Sequence, residues 1–191
     1  MKPSFLRVRV LFAMCVLAIW TIATDAYADD ELPTTLVAQL AMKVASYDRN
    51  QAERQKTRPR TLVFENASDE RSVRTATMIA QSLRDPEIGK GAPVDVVVFT
   101  SATDLAAAVD ARSAGIVIVA SGLEDSAGAI AGALTGKDVL TIGTTGVLAE
   151  RGTVVGFELR EGKPKIVVNL ARAKAQNVVF KAELLALARI L

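Results

Sequence analysis

Apolar and polar positions alternate with a period of two over two adjacent stretches near the end of the chain. Val155, Phe157 and Leu159 alternate with Gly156, Glu158 and Arg160; Ile166, Val168 and Leu170 alternate with Lys165, Val167 and Asn169. A half-buried strand has this period. Glu161 and Gly162 between them predict a two-residue turn, which sets the register. Phe157 then faces Ile166, Val155 faces Val168, and Glu158 faces Lys165 as a favourable cross-strand pair. An Asn-Leu corner at Asn169 follows, then two short helical stretches around the apolar triplet Val178 to Phe180. Leu184, Leu187, Ala188 and Leu191 form a helical stripe at the end.

Upstream the period lengthens and the strands lose their polar positions. Leu36, Val37, Leu40, Ala41, Val44 and Ala45 predict a helix from about Thr35 into Asn50 or beyond. Thr61 to Glu65 reads as a strand. Ser68 is placed to cap a second helix, whose core side is Val73, Thr77, Ala80 and Leu83. Asp85 to Gly91 is a breaker-rich loop. Val94 to Phe99, Ile116 to Val119 and Val139 to Ile142 are apolar strands. Helices carrying Leu105, Ala108 and Val109, and running from Glu124 to Leu134, separate them. Unbroken apolar strands alternating with helices predict an α/β fold: an open, mostly parallel sheet with helices on both faces. The closing hairpin extends it by antiparallel pairing.

Residues 1–28 carry the pattern of a cleaved signal peptide. Lys2, Arg7 and Arg9 precede the apolar run Leu11 to Ala23, and Ala26-Tyr27-Ala28 offers a small-x-small cleavage site before Asp29. The run is short for a span of about 20 apolar residues. Met14 before Cys15 argues against a lipidated cysteine. The expected product is one exported, periplasmic domain, residues 29–191. Processing removes Lys2, Arg7, Arg9 and Asp25 from 23 basic and 21 acidic residues and leaves 20 of each. A whole-protein basic field for nucleic acid is therefore absent. The one cysteine leaves with the leader, so indifference to thiol reductants is expected. With no histidine in the chain, His metal ligands, Ser-His catalysis and the usual pH switch are unavailable.

Polar residues after the strands are the first candidates for chemistry: Asn66, Ser68, Thr100, Ser101, Ser121, Gly122, Gly143, Thr144 and Thr145. Ligands of open α/β sheets bind beyond the carboxyl ends of strands, and this rim would suit a small polar or anionic ligand. The same residue types also serve as caps and turns. No charged residue joins the rim by sequence. GALTGK at 132–137 resembles a phosphate-binding loop only loosely: it is one residue short, and Asp138 stands where a hydroxyl would hold magnesium. Gly128, Gly132 and Gly136 recur every four residues, a small face on which the helix would lie close to a neighbour. Arg49, Arg54, Lys56, Arg58 and Arg60 form a basic run that could meet an acidic partner or lipid headgroups. The pairs Asp69-Glu70 and Glu124-Asp125 sit at helix starts, where the helix dipole accounts for them. No catalytic set, metal site or cofactor is expected.

The motifs DVLTIG at Asp138 to Gly143, VGF at Val155 to Phe157, GK at Gly162-Lys163, VVNLARAKAQNVVF from Val167 and ELLALA from Glu183 resemble the C-terminal half of the YfiR-like family. The family's early helix is often rich in aromatics, where LAMKVASYDRN has Tyr47 alone. The resemblance implies a periplasmic regulator that binds an inner-membrane signalling enzyme, a diguanylate cyclase or histidine kinase, and represses it. Family members often carry redox-linked cysteine pairs, which the processed chain lacks. The expected partner surface is the exposed hairpin face and corner, Glu158, Lys165 and Asn169, with Arg49 and Arg54 as a second patch. The alternative is a periplasmic small-ligand binder using the strand-end rim. Self-association is left open.

Overall fold

The computed structural model describes residues 32–191; the expected signal peptide lies outside them. Seven strands form one sheet in the order β2-β1-β3-β4-β5-β6-β7. They are β1 Arg60–Glu65, β2 Val94–Val98, β3 Ala114–Val119, β4 Leu140–Gly143, β5 Val155–Arg160, β6 Lys163–Val168 and β7 Arg189–Ile190. β1 to β5 run parallel to one another. β6 is antiparallel to β5, and β7 is parallel to β6. The fold is α/β, with a mostly parallel sheet.

Two apolar layers cover the sheet because its strands carry apolar side chains on both faces. One layer joins Val63, Ile116, Ile118, Leu140, Ile142, Val155 and Phe157 to α1 (Thr34–Ala45) and α3 (Glu70–Arg84). The other joins Leu62, Phe64, Val117 and Val119 to α5 (Ala102–Ala111), α6 (Ala127–Ala133) and α7 (Gly146–Arg151). The remaining helices are short: α2 Gln51–Thr57, α4 Pro86–Gly89, α8 Leu170–Ala175 and α9 Ala182–Leu185. Each fully buried Leu, Ile or Phe contributes about 1.5–3 kcal/mol.

The hairpin has the expected register: Phe157 faces Ile166, Val155 faces Val168, and Glu158 faces Lys165. Glu161 and Gly162 both have positive φ, 54° and 70°, as a type I′ turn requires.

Several elements depart from the sequence reading. The first helix stops at Ala45, and a turn separates it from α2, because Asp48 turns inward to meet Arg54 and the backbone at Val179. Asp69, not Ser68, caps α3. The buried side of α3 is therefore Ser72, Ala76, Ile79, Ala80 and Leu83; Val73 is half-buried and Thr77 exposed. Asp85 caps the short helix α4 inside the expected loop. α7 was not anticipated. The terminal apolar stripe is not a helix: α9 ends at Leu185, and Arg189–Ile190 joins the sheet instead. α6 ends at Ala133, so Gly136 is not on it; a Cβ at Gly132 would meet nothing within 4 Å and one at Gly128 only the Arg151 carbonyl at 3.8 Å, so no close approach requires these glycines.

Candidate functional site

The chain runs outward from β1 to β2 and returns across β1 to β3. This makes the carboxyl edge between β1 and β3 a topological switch point, where open sheets bind ligands. Asn66 closes the β1 side. Its Oδ1 accepts the Ser68 N–H at 3.1 Å and its Nδ2 donates to the Gly122 carbonyl at 3.0 Å, while its own N–H donates to Ser72 Oγ at 2.9 Å. Gly122 has φ +88°, and a Cβ there would lie 2.5 Å from Asp69 Oδ2. Only glycine suits both the turn and the contact. Glu124 accepts the Gly122 N–H at 2.8 Å and the Thr145 hydroxyl at 3.4 Å.

The rim is thus not free of charge, as the sequence had suggested. Glu65 ends β1, Asp69 caps α3, and Glu124 ties the β3 loop to the β4 loop. By sequence Glu124 is a helix-start residue. Its place two residues after a glycine that needs an acceptor was the available signal.

Four buried side-chain polar atoms among the described residues have no hydrogen-bond partner: Glu65 Oε2, Ser121 Oγ, Thr144 Oγ1 and Gln176 Nε2. Three of them stand at this edge. Ser121 is 2 % exposed and Thr144 8 %. At the end of β2 the rim satisfies itself: the Thr100 and Ser101 hydroxyls each donate to the Asp104 carboxylate at 2.8 Å. The Ser101 bond first, then the Thr100 bond, hold Asp104 below its ordinary pKa of 3.8. The structure thus brings together Asn66, Ser121, Gly122, Thr144 and Thr145. Ser101 serves as the cap of α5, and Ser68 enters through its backbone.

The expected partner residues fare unevenly. Arg54 is 1 % exposed and is no surface residue. Its guanidinium bonds Asp48, Asp138 Oδ1 at 3.0 Å and the Asn177 carbonyl at 3.1 Å. Asn169 caps α8 and donates to the Ala149 carbonyl. Glu158 is held by Arg189, at 3.2 and 2.9 Å, and not by the facing Lys165. Arg49 and Lys165 are exposed. The C-terminal flank adds what the sequence reading missed. Leu187 is 69 % exposed, with Leu170, Val179, Ile190 and Leu191 above 40 %. An open groove of about 350 Å³ runs between Leu170, Val179, Phe180 and Leu185. Large exposed apolar areas mark interaction sites.

The model of the YfiR/HmsC-like family matches residues 34–189. The chain belongs to this family. The YfiR/HmsC-like proteins are periplasmic and regulatory in kind, not enzymes. No helix among the described residues is long and apolar enough to cross a membrane. No curated protein matches this YfiR/HmsC-like chain. Among solved structures it is similar to a conserved domain protein of Vibrio cholerae (14 % identity, TM-score 0.57, 83 % of this chain and 60 % of that one). It is also similar to an ABC domain from Streptococcus pneumonia in complex with L-Trp (11 %, TM-score 0.61, 81 % and 60 %). A third is a ligand-free, open substrate-binding protein with adhesive properties from Clostridium difficile (12 %, TM-score 0.53, 73 % and 57 %). The chain spans about three fifths of the length of these structures, and at such identities the likeness is one of fold.

Proposed function

We propose that this protein is a periplasmic regulatory binding protein that represses an inner-membrane signalling enzyme, a diguanylate cyclase or a histidine kinase. The family match over residues 34–189 carries the reading. The C-terminal flank supports it, since β7 is the last strand of the sheet and no further strand among the described residues pairs with its outer edge. An open edge beside exposed apolar side chains can accept another chain. Leu187, Ile190 and Leu191 form the centre of the partner surface, with Lys165 and Arg49 at its borders. Control of the enzyme then requires only that this surface bind one of its conformations better than the other.

Deleting the gene raises the output of the cognate enzyme, read as more cyclic di-GMP where that enzyme is a cyclase. Leu187→Asp combined with Ile190→Asp reproduces the deletion while the melting temperature stays within about 2 °C, because both side chains are already exposed. If deletion leaves every cyclase and kinase output unchanged, the regulatory reading fails. If the stable double variant still represses fully, the surface is wrong.

A further inference from the structure

At the opposite, amino edge of the parallel strands lies a recess that the regulatory reading does not use. It is open and about 660 Å³ in volume, and Lys56, Thr57, Arg60, Asp95, Arg112 and Ser113 line it. β1 stands between β2 and β3. The segment leading into β1 therefore meets Asp95 on one side and the turn before β3 on the other. The basic run of the sequence does not act here as one patch. Arg54 is buried, and Arg58 bonds Asp110 at 3.1 Å and the Ala114 carbonyl at 3.3 Å. Lys56 and Arg60 instead meet Arg112, which is far from them in sequence.

Two guanidiniums converge on one oxygen in this recess. Arg60 Nη1 donates to Asp95 Oδ2 at 3.2 Å, and Arg112 Nη1 lies 3.8 Å from the same atom. One carboxylate neutralises one of them. The lining carries three cations less one carboxylate, a net charge of +2. Lys56 pairs with Glu53 at 2.7 Å, but both side chains stand in solvent, where such a pair is weak. Helix C-termini attract cations, which accounts for Lys56 in the last turn of α2 and Arg112 at the end of α5. It does not account for Arg60, which opens a strand, or for two guanidiniums on one carboxylate.

Guanidiniums held side by side repel, and a second anion between them relieves that repulsion. Each keeps N–H donors beyond those that Asp95 uses. A phosphate group has oxygens for both forks at once and a charge that matches the excess. We propose that this recess binds a phosphate group, held by Arg60 and Arg112 with Lys56 and the Ser113 hydroxyl at its border. The recess is larger than a phosphate ion, so it also admits part of the molecule that carries the group. That carrier is a small soluble molecule or a phospholipid, and the chemistry at the recess is the same for both. The proposal goes beyond the regulatory reading and stands without it.

The test uses the purified protein without a partner, at constant ionic strength. Pyrophosphate binds in calorimetry with a dissociation constant of about 1 mM or tighter, and about 10 mM raises the melting temperature by roughly 3 °C. Arg60→Ala and Arg112→Ala each weaken binding by about threefold or more. Both side chains are 43 % exposed, so without ligand these variants melt within about 2 °C of the parent. Asp95→Asn removes the competing carboxylate and tightens binding by about threefold, a change of sign that a merely structural aspartate would not give. Vesicles separate the two carriers. For a lipid, phosphatidylglycerol vesicles carry the protein down, phosphatidylcholine vesicles do not, and pyrophosphate releases it. For a soluble molecule, pyrophosphate binds and neither vesicle does. The proposal is overturned if neither pyrophosphate nor phosphatidylglycerol binds, if the arginine variants bind as the parent does, or if Asp95→Asn binds no more tightly than the parent.

Discussion

Arg54 and Arg49 stand five residues apart in one basic run, yet they meet opposite environments. Arg54 is enclosed and answers the buried Asp48, while Arg49 points to solvent. Removing one partner of a buried pair strands the other charge and costs about 3–5 kcal/mol. Arg54→Ala should therefore lower unfolding free energy by that amount in urea melts, and Arg49→Ala by under about 0.5 kcal/mol. Equal effects would contradict the burial. Phe157, 2 % exposed, sits in the hairpin beside Ile142 and Val168 in one apolar layer. Phe157→Ala should cost about 3–5 kcal/mol; a loss below about 1 kcal/mol would place the ring outside the core.

Between β6 and the chain end, an ionic network adds to the backbone pairing. Arg189 bonds Glu158 through two nitrogens and Glu150 at 2.6 Å. The Glu158 bond first, then Glu150, raise the guanidinium above its ordinary pKa. This network ties β7 across β6 to β5 and α7, and the Leu191 N–H donates to the Val168 carbonyl of β6. All three side chains are partly exposed, so the network is worth only about 0.5–1 kcal/mol. Arg189→Ala should leave global stability almost unchanged and speed hydrogen exchange at the Leu191 amide by several-fold. Unaltered exchange there would mean that backbone pairing alone holds the strand.

For the whole molecule, the absence of histidine predicts a melting temperature nearly flat between about pH 5.5 and 8. The shifted carboxylates act lower. Lys137 first, then Arg58, hold Asp110 below its ordinary 3.8, as the hydroxyls hold Asp104. A carboxylate whose folded pKa lies below its unfolded value stabilises the fold above the unfolded value. That contribution is lost as pH falls through the folded value. Acid destabilisation should therefore begin below about pH 4. The difference in melting temperature between the parent and Asp110→Asn, small because Asp110 is exposed, should shrink as the pH falls below the ordinary 3.8. A transition near pH 6 would contradict this account.

The local rules of the chain determined what depends on neighbours in sequence. Alternation plus a Glu-Gly turn sets the β5–β6 register, and unbroken Val and Ile runs mark strands buried on both faces. Strand-end polar residues mark a rim. Only tertiary structure decided the rest. β7 is two residues long, too short to show a period, and exists because β6 offers a partner and Arg189 an ionic tether. α7 is six residues long and is held by Thr145 at its start and the second apolar layer beneath it. The burial of Arg54 depends on Asp138 and Asn177, which lie far along the chain. The meeting of Arg60, Asp95 and Arg112 at one recess depends on strand order, which no local pattern encodes. Burial and partnership are properties of what the fold brings together, so the unpaired groups at the rim become visible only in three dimensions.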